Sequence, residues 1–236
     1  MHISEKQKTN KEPKLTKRLL LAAEYVRNGK KVADVGCDHG KLSAFLLLSE
    51  KTPFVYATDI REKPLQKTEK LLSELCLDGK YCCMKTDGLS GIPAGAVDDI
   101  VMAGIGADVI SHIISEAEWI KNKNIHLVLV PASKRERLRR FIASEGFEIE
   151  REEAVTDQGH SYAVMSVYYT GKKRELSVKE AWLGKIDTDT EDGKIYLAQI
   201  KDRMKNVIEA VEDINNEHRR EAVRFMEELD DHCSTT

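Results

Sequence analysis

Apolar and polar positions along this chain change period in a regular way. The stretch KLTKRLLLAAEYVRNG carries Leu15, Leu19, Ala22, Ala23 and Val26 on one helical stripe and ends at Asn28-Gly29, which predicts a helix. Short apolar runs then predict strands over Lys31–Val35, Phe54–Asp59, Tyr81–Lys85, Asp99–Ala103, His126–Pro131, Phe147–Val155 and Tyr162–Thr170. Amphipathic stretches of helical length separate most of them: Lys41–Ser49, Lys63–Cys76, Ala107–Trp119 and Lys134–Ser144. Strands alternating with helices in this way predict an α/β fold with a mostly parallel sheet and right-handed crossovers. Only TDQGHS lies between the last two strands, so they are expected to form an antiparallel hairpin at one edge.

The period changes again beyond Lys172. LGKIDTDTEDGK reads as a polar linker. Leu197, Ile200, Met204, Val207, Val211, Ile214 and His218 then recur at spacings of three and four, a heptad-like seam continued on a second face by Ala222, Phe225 and Leu229. We expect a helical hairpin or short coiled coil, folded onto the sheet or onto a second copy of the chain as a homodimer. The resulting division is a disordered basic tail over 1–13, a sheet domain over 14–171 and a helical coiled-coil domain over 172–236.

Charge modifies this picture locally. The net charge is −3, yet residues 1–31 carry nine Lys/Arg against three acids, and residues 121–140 seven against one. Two basic segments on a mildly acidic chain suit either a polyanion surface or solvated helix faces. No apolar run approaches the about 18–20 residues of a membrane span, and the N-terminus lacks the apolar core of a secretory signal. Cys37, Cys76, Cys82, Cys83 and Cys233 form no CxxC pair, which argues for a reducing cytoplasm and against a structural metal.

The candidate chemistry sits at the strand ends. DVGCDHG joins the first strand to its helix, where open α/β sheets bind ligands. Gly36 and Gly40 allow close backbone approach or positive φ. Its spacing is not GxGxxG, and Asp38 stands where a pyrophosphate would meet a carboxylate, which disfavours a nicotinamide or flavin dinucleotide. A phosphate-free, positively charged cofactor fits better, and S-adenosylmethionine has both a sulfonium and an ammonium. Asp59 ends the second strand, placed to accept both hydrogen bonds of a ribose diol or to cap the next helix. Asp87-Gly88 would meet the adenine edge or simply form a turn, and AGIGAD follows the fourth strand. The candidate cofactor site is therefore Asp34, Gly36, Cys37, Asp38, Gly40, Asp59, Ile60, Asp87, Gly88, Ala103 and Gly104.

In these motifs the chain resembles class I S-adenosylmethionine-dependent methyltransferases, and more narrowly the bacterial tRNA adenine-22 N1-methyltransferase family. LTKRLLLAAEYV, ADVGCDHGKL, DGLSGI, DIVMAGIGADVISHII, VLVPASKRERLRRFIASEGFEIEREEAV and YAVMSVYY match in order over about residues 14–170. The family has Ala-Tyr where this chain has Gly40-Lys41, Glu at Asp59, Gly-Gly at Gly106-Ala107, and Gln-Pro where Val130 precedes Pro131. The resemblance implies a Rossmann-like seven-stranded methyltransferase sheet with a C-terminal coiled coil, S-adenosylmethionine as cofactor and tRNA as partner. On that reading Asp38, His39 and Asp108 are the catalytic candidates, although His39 suits a capping role and Asp108 a helix-dipole role equally. Lys14, Lys17, Arg18, Lys41, Lys134, Arg135, Arg137, Arg139 and Arg140 are the RNA-binding candidates, with at least one pair of the last five left as plain surface. A small-molecule or protein methyltransferase of the same fold, and a non-catalytic RNA-binding relative, are the alternatives.

Overall fold

The protein is described by a computed structural model that covers residues 13–211 and 213–230. The predicted tail, apart from Pro13, and residues 231–236 lie outside the described residues. In chain order the elements are α1 (Lys17–Tyr25), β1 (Val32–Val35), α2 (Lys41–Leu48), β2 (Val55–Asp59), α3 (Glu62–Glu74), β3 (Tyr81–Lys85), β4 (Asp99–Ala103), α4 (Ala107–Glu116), β5 (His126–Val130), α5 (Arg135–Ser144), β6 (Phe147–Asp157), β7 (His160–Tyr169), α6 (Val178–Leu183), α7 (Glu191–Ala210) and α8 (Glu217–Asp230). The strands form one seven-stranded sheet in the order β3-β2-β1-β4-β5-β7-β6, with β7 antiparallel to β5 and β6 and the rest of the pairs parallel.

Alternation along each strand divides the core into two layers. Ala33, Val35, Ile100, Met102, Leu127, Leu129, Met165 and Val167 pack on one side with α4 and α5. Val32, Val55, Ala57, Val101, Val128, Val130 and Val164 pack on the other with α1, α2 and α3. Both faces of the central strands are covered, so VADV and HLVLV are buried at every position. The chain leaves β1 toward β2 and β3, then returns to place β4 on the other side of β1. The carboxyl ends of β1 and β4 therefore flank the switch point at which such sheets bind ligands.

The hairpin is longer than its apolar residues predicted. Gln158 (φ 51°) and Gly159 (φ 80°) are both left-handed, the two-residue turn that matches strand twist. β6 bulges between Ile149 and Arg151, and its Thr156 amide donates 3.0 Å to Asp192 Oδ1 of α7.

The C-terminal helices share the sheet's core. Tyr196, Ile200 and Met204 of α7 and Ala222 and Phe225 of α8 are buried in the same cluster as Ile142 and Phe147. A further helix, α6, stands before the linker, started by the capping box of Ser177 and Glu180. The seam does not run on as one helix. Asp213 Oδ1 accepts from the Asn215 amide and Asn216 Oδ1 from the His218 amide, so DINN closes a turn and caps α8. Ile214, counted on the seam, is 66% exposed in that turn. The hairpin form of the expectation is the one present. No described helix is long and apolar enough to cross a membrane.

Candidate active site

A cavity of about 500 Å³ opens at the carboxyl ends of β1, β2 and β4, walled on one side by Thr16, Arg18 and Leu19 at the start of α1. The β1 turn shapes its floor. Gly36 has φ +73°, and a Cβ there would sit 3.3 Å from Ile105 Cγ2. The amides of Gly36 and Cys37 both donate to the Thr58 carbonyl, at 2.8 and 3.0 Å. Those two donors are thus unavailable to a phosphate, unlike the open amides of a phosphate-binding turn.

Acidic groups dominate the walls. Asp34 is 4% exposed and accepts 2.6 Å from Ser43 Oγ of α2. Burial pushes its carboxyl up to about 6, with the Asp59 charge adding to the shift and Ser43 opposing it. Asp59, also 4% exposed, accepts at Oδ1 from the Arg61 amide (2.8 Å) and Arg61 Nε (3.2 Å). Its Oδ2 has only Arg61 Nη2, at 3.5 Å. That leaves one oxygen of this cavity-lining residue weakly engaged, suited to a hydroxyl donor. Ile60, 62% exposed, offers an apolar surface beside it. Asp87, Ala103 and Gly104 line the cavity with Gly88, whose added Cβ would meet Ile113 Cγ1 at 2.7 Å. Cys37 lines it too, 3.4 Å from Thr68 Oγ1, and burial pushes its thiol up to about 12, which makes it a packing group and not a nucleophile.

Gly40 does not line the cavity. Its φ is +67°, and a Cβ would lie 2.6 Å from Thr68 Cγ2, so its missing side chain lets α2 pack on α3. Asp38, at φ +49°, and His39 line the cavity at its exposed rim, with Asp38 Oδ2 2.6 Å from His39 Nδ1. Lys67 Nζ stands 3.2 Å from His39 Nε2, and Arg61 Nη2 stands 3.8 Å from Asp38 Oδ1. The tautomer that satisfies these contacts has Nδ1–H donating to Asp38 and Nε2 accepting from Lys67, which fills the place of a proton acceptor. Asp108 is outside the cavity lining. It is ion-paired with Lys134, which holds its carboxyl below the usual range. Ser43, Thr58, Arg61 and Lys67 were not foreseen. They come from neighbouring elements with no motif of their own, and only the tertiary fold brings them here.

The basic candidates divide by environment. Lys14, Lys17, Lys41 and Arg137 are exposed, and Lys41 and Arg18 line the cavity. Arg139 is a correction: at 1% exposure it cannot touch RNA, because its guanidinium is bound by Glu152, Tyr196 Oη and the carbonyls of Ala181 and Trp182. Arg140 is held by Glu221 and the Leu176 carbonyl, and Arg135 donates to the Ser161 carbonyl with its guanidinium 4.7 Å above the Tyr196 ring. The basic face of α5 is therefore in large part the seat of the C-terminal helices.

A parallel sheet closed by an antiparallel β7, with an acid-walled, phosphate-averse cavity at its switch point, defines a Rossmann-like methyltransferase fold. The chain belongs to the methyltransferase-domain family, whose sequence profile matches residues 15–165. It is 29% identical over 154 residues to the tRNA (adenine(22)-N(1))-methyltransferase of Bacillus subtilis, a match that spans 65% of this chain and 65% of that protein's length. A Streptococcus agalactiae protein of the NADB-Rossmann superfamily superposes with a TM-score of 0.76 at 27% identity, covering 92% of this chain and 95% of that one. The crystal structure of a putative tRNA (m1A22) methyltransferase of Streptococcus pneumoniae, in complex with S-adenosyl-L-methionine, superposes with a TM-score of 0.78 at 24% identity over 90% of this chain and 97% of that one.

Proposed function

We propose that this protein methylates N1 of an adenine in tRNA, with S-adenosylmethionine as donor, in the cytoplasm. The observation that carries the reading is the cavity itself. Its wall acids suit a sugar-bearing cation, and its β1-turn amides are already occupied, which does not suit a pyrophosphate. The Bacillus relative's name supplies the substrate.

When bound, S-adenosylmethionine supplies a methyl group activated by a sulfonium. Asp59 would receive the ribose diol, Ile60 would cover one face of the adenine ring, and Asp87 and Gly88 would meet its edge. Asp34 faces the positive end. The reaction is an in-line displacement in which positioning and desolvation supply most of the rate. Adenine N1 would use its own lone pair to take the methyl group as the sulfur–methyl bond breaks and S-adenosylhomocysteine leaves. This gives a cationic base with no proton to remove first, so no general base is needed. That agrees with an imidazole whose two nitrogens are already engaged. Asp38 stabilises the positive charge that develops on the base, with His39 fixing its carboxylate. Asp108, tied to Lys134, serves the approach to the site and not the chemistry. An extruded base costs a few kcal/mol of unstacking, and Lys14, Lys17, Lys41, Lys134 and Arg137 offset this through phosphate contacts. A homodimer through α7 and α8 is a finer part of the reading, with Ile214 as an apolar group it would cover. A monomeric mass independent of concentration would remove that part.

The experiment is incubation with labelled S-adenosylmethionine and unmodified bulk tRNA, followed by digestion to nucleosides. Labelled 1-methyladenosine is expected. Absence of any labelled nucleoside would return the choice to a small-molecule or protein methyltransferase, or to a non-catalytic RNA-binding relative.

A further inference from the structure

A second cavity, of about 160 Å³, lies between the start of α5 and the C-terminal helices α6 and α7. The Ala132 amide donates 2.9 Å to the Ile105 carbonyl, so the loop that lines this cavity is bound to the turn that lines the cofactor cavity. Glu136 lines the second cavity at 9% exposure. The other carboxylates buried to that degree all have partners: Asp34 has Ser43, Asp59 has Arg61, Asp99 has Arg27 and His126, Glu152 has Arg139, and Asp157 has Arg18. Glu136 has no hydrogen bond or ion pair with any described residue. The α5 dipole favours an acid in its first turn but supplies no donor to the oxygens. An ionised carboxylate held out of water without a donor is costly, so this one is better explained by a ligand than by the fold.

The neighbouring walls define that ligand. Arg135 holds its guanidinium 4.7 Å from the centroid of the Tyr196 ring, and Arg203 lies at the same distance from that of Trp182. Both arginines line the cavity, and neither has a carboxylate partner among the described residues. A guanidinium laid on a ring offers a planar face on which a base can stack. The two positive charges disfavour a cationic donor, and the carboxylate disfavours a phosphate. A neutral planar group with N–H donors on its edge suits all three. Guanine is the nucleobase whose Watson–Crick edge sets two donors side by side, N1–H and the N2 amine, matching the two oxygens of one carboxylate. Adenine and cytosine set an amine beside an acceptor, and uracil has one N–H between two acceptors. We infer that Glu136, Arg135 and Arg203 form a base-reading subsite that takes an unpaired guanine of the RNA substrate, outside the cofactor cavity. This rests on tRNA being the substrate. The volume holds a base and leaves its ribose and phosphate at the mouth, where the exposed Lys134 stands. Because α5 supplies Glu136 and Arg135 and α7 supplies Arg203, the subsite exists only with the C-terminal helices in place.

The test is titration of the full chain with short oligouridines that carry one central guanosine, inosine or adenosine; inosine keeps N1–H and lacks the N2 amine. The chain has two tryptophans, so a Trp119→Phe background lets Trp182 alone report binding by its fluorescence. The guanosine oligomer is expected to bind about tenfold or more tighter than the inosine one, the difference of one hydrogen bond to a charged acceptor. The adenosine oligomer should bind more weakly still. Glu136→Gln should abolish the guanosine preference, whereas Arg203→Ala should weaken all three oligomers and keep their order. Circular-dichroism melts check folding, and Glu136→Ala serves if the glutamine variant does not fold. Equal affinities for guanosine and inosine in the wild-type cavity, no binding of either, or a preference that survives both Glu136 variants would overturn the subsite. Labelled 1-methyladenosine in the tRNA assay alongside such a result would show that the subsite alone has failed. A guanosine preference that depends on Glu136, with no tRNA methylated, would instead remove the proposed reaction and leave the subsite standing as a reader of RNA.

Discussion

Arg139 and Glu152 meet out of water: Nε and Nη2 of the arginine lie 2.9 and 2.7 Å from Glu152 Oε1, at 1% and 4% exposure. The rest of the guanidinium fork reaches the carbonyls of Ala181 and Trp182 and the hydroxyl of Tyr196, while Glu152 Oε2 accepts from the Lys185 amide. One residue of α5 thus binds β6, α6 and α7 together. Breaking a buried pair by removing one partner strands the other charge, at about 3–5 kcal/mol. We expect Arg139→Met to lose that much in denaturant unfolding, and Arg139→Met/Glu152→Met to recover much of it. A single variant within 0.5 kcal/mol of wild type would mean the pair is not holding the helices.

Asp34 gives a pH signature. Its carboxyl is at about 6 in the folded protein against 3.8 ordinarily. Between those values the native state binds more protons than the unfolded state, so stability falls as pH rises through the window and the cost is complete above it. Asp34→Asn should stabilise the ligand-free protein by on the order of 1–3 kcal/mol near pH 7.5, and the gain should vanish below about pH 4. Melting curves of both proteins across pH decide it: a constant offset at every pH refutes the assignment. Cofactor affinity should move the other way, rising through pH 6 as the wild-type carboxylate ionises and weakening in the variant.

Asp59→Ala should cost S-adenosylmethionine about tenfold to a hundredfold in affinity, the loss of two hydrogen bonds to a charged acceptor. The fold should survive, since the carboxylate's structural partner is the exposed Arg61. Unchanged affinity by titration would undo the ribose assignment.

Arg137 and Arg139 lie two residues apart on α5, yet only Arg137 is exposed. Arg137→Ala should weaken tRNA binding and reduce the slope of log affinity against log salt by about 1. A slope equal to wild type would remove α5 from the RNA surface.

The sheet was legible because β1, β4 and β5 are short apolar runs bounded by turns, and the amphipathic α3, α4 and α5 keep their period throughout. The acids at the ends of β1 and β2 were legible for the same reason: strand ends in this topology converge on one place. Arg139 was misread because charge on a helix face looks the same whether water or Glu152 lies opposite. Gly40 takes the positive φ read for it, but glycine spacing does not say whether a ligand or Thr68 lies beside it. α6 was missed because VKEAWL is barely two turns long, and the seam was drawn too far because DINN was not read as a turn. The partners of Asp38 and His39, Arg61 and Lys67 respectively, carry no signal in one dimension.

The β6 edge has a consequence for how this protein behaves at high concentration. Its bulge at Glu150 breaks the spacing another strand would need, and Asp192 has taken the Thr156 amide that strand would pair with. Glu148, Glu150 and Arg151 place exposed charge along the same margin. Edge-to-edge aggregation through that border is therefore blocked by construction, and the sheet ends where the chain's own last strand pair ends it.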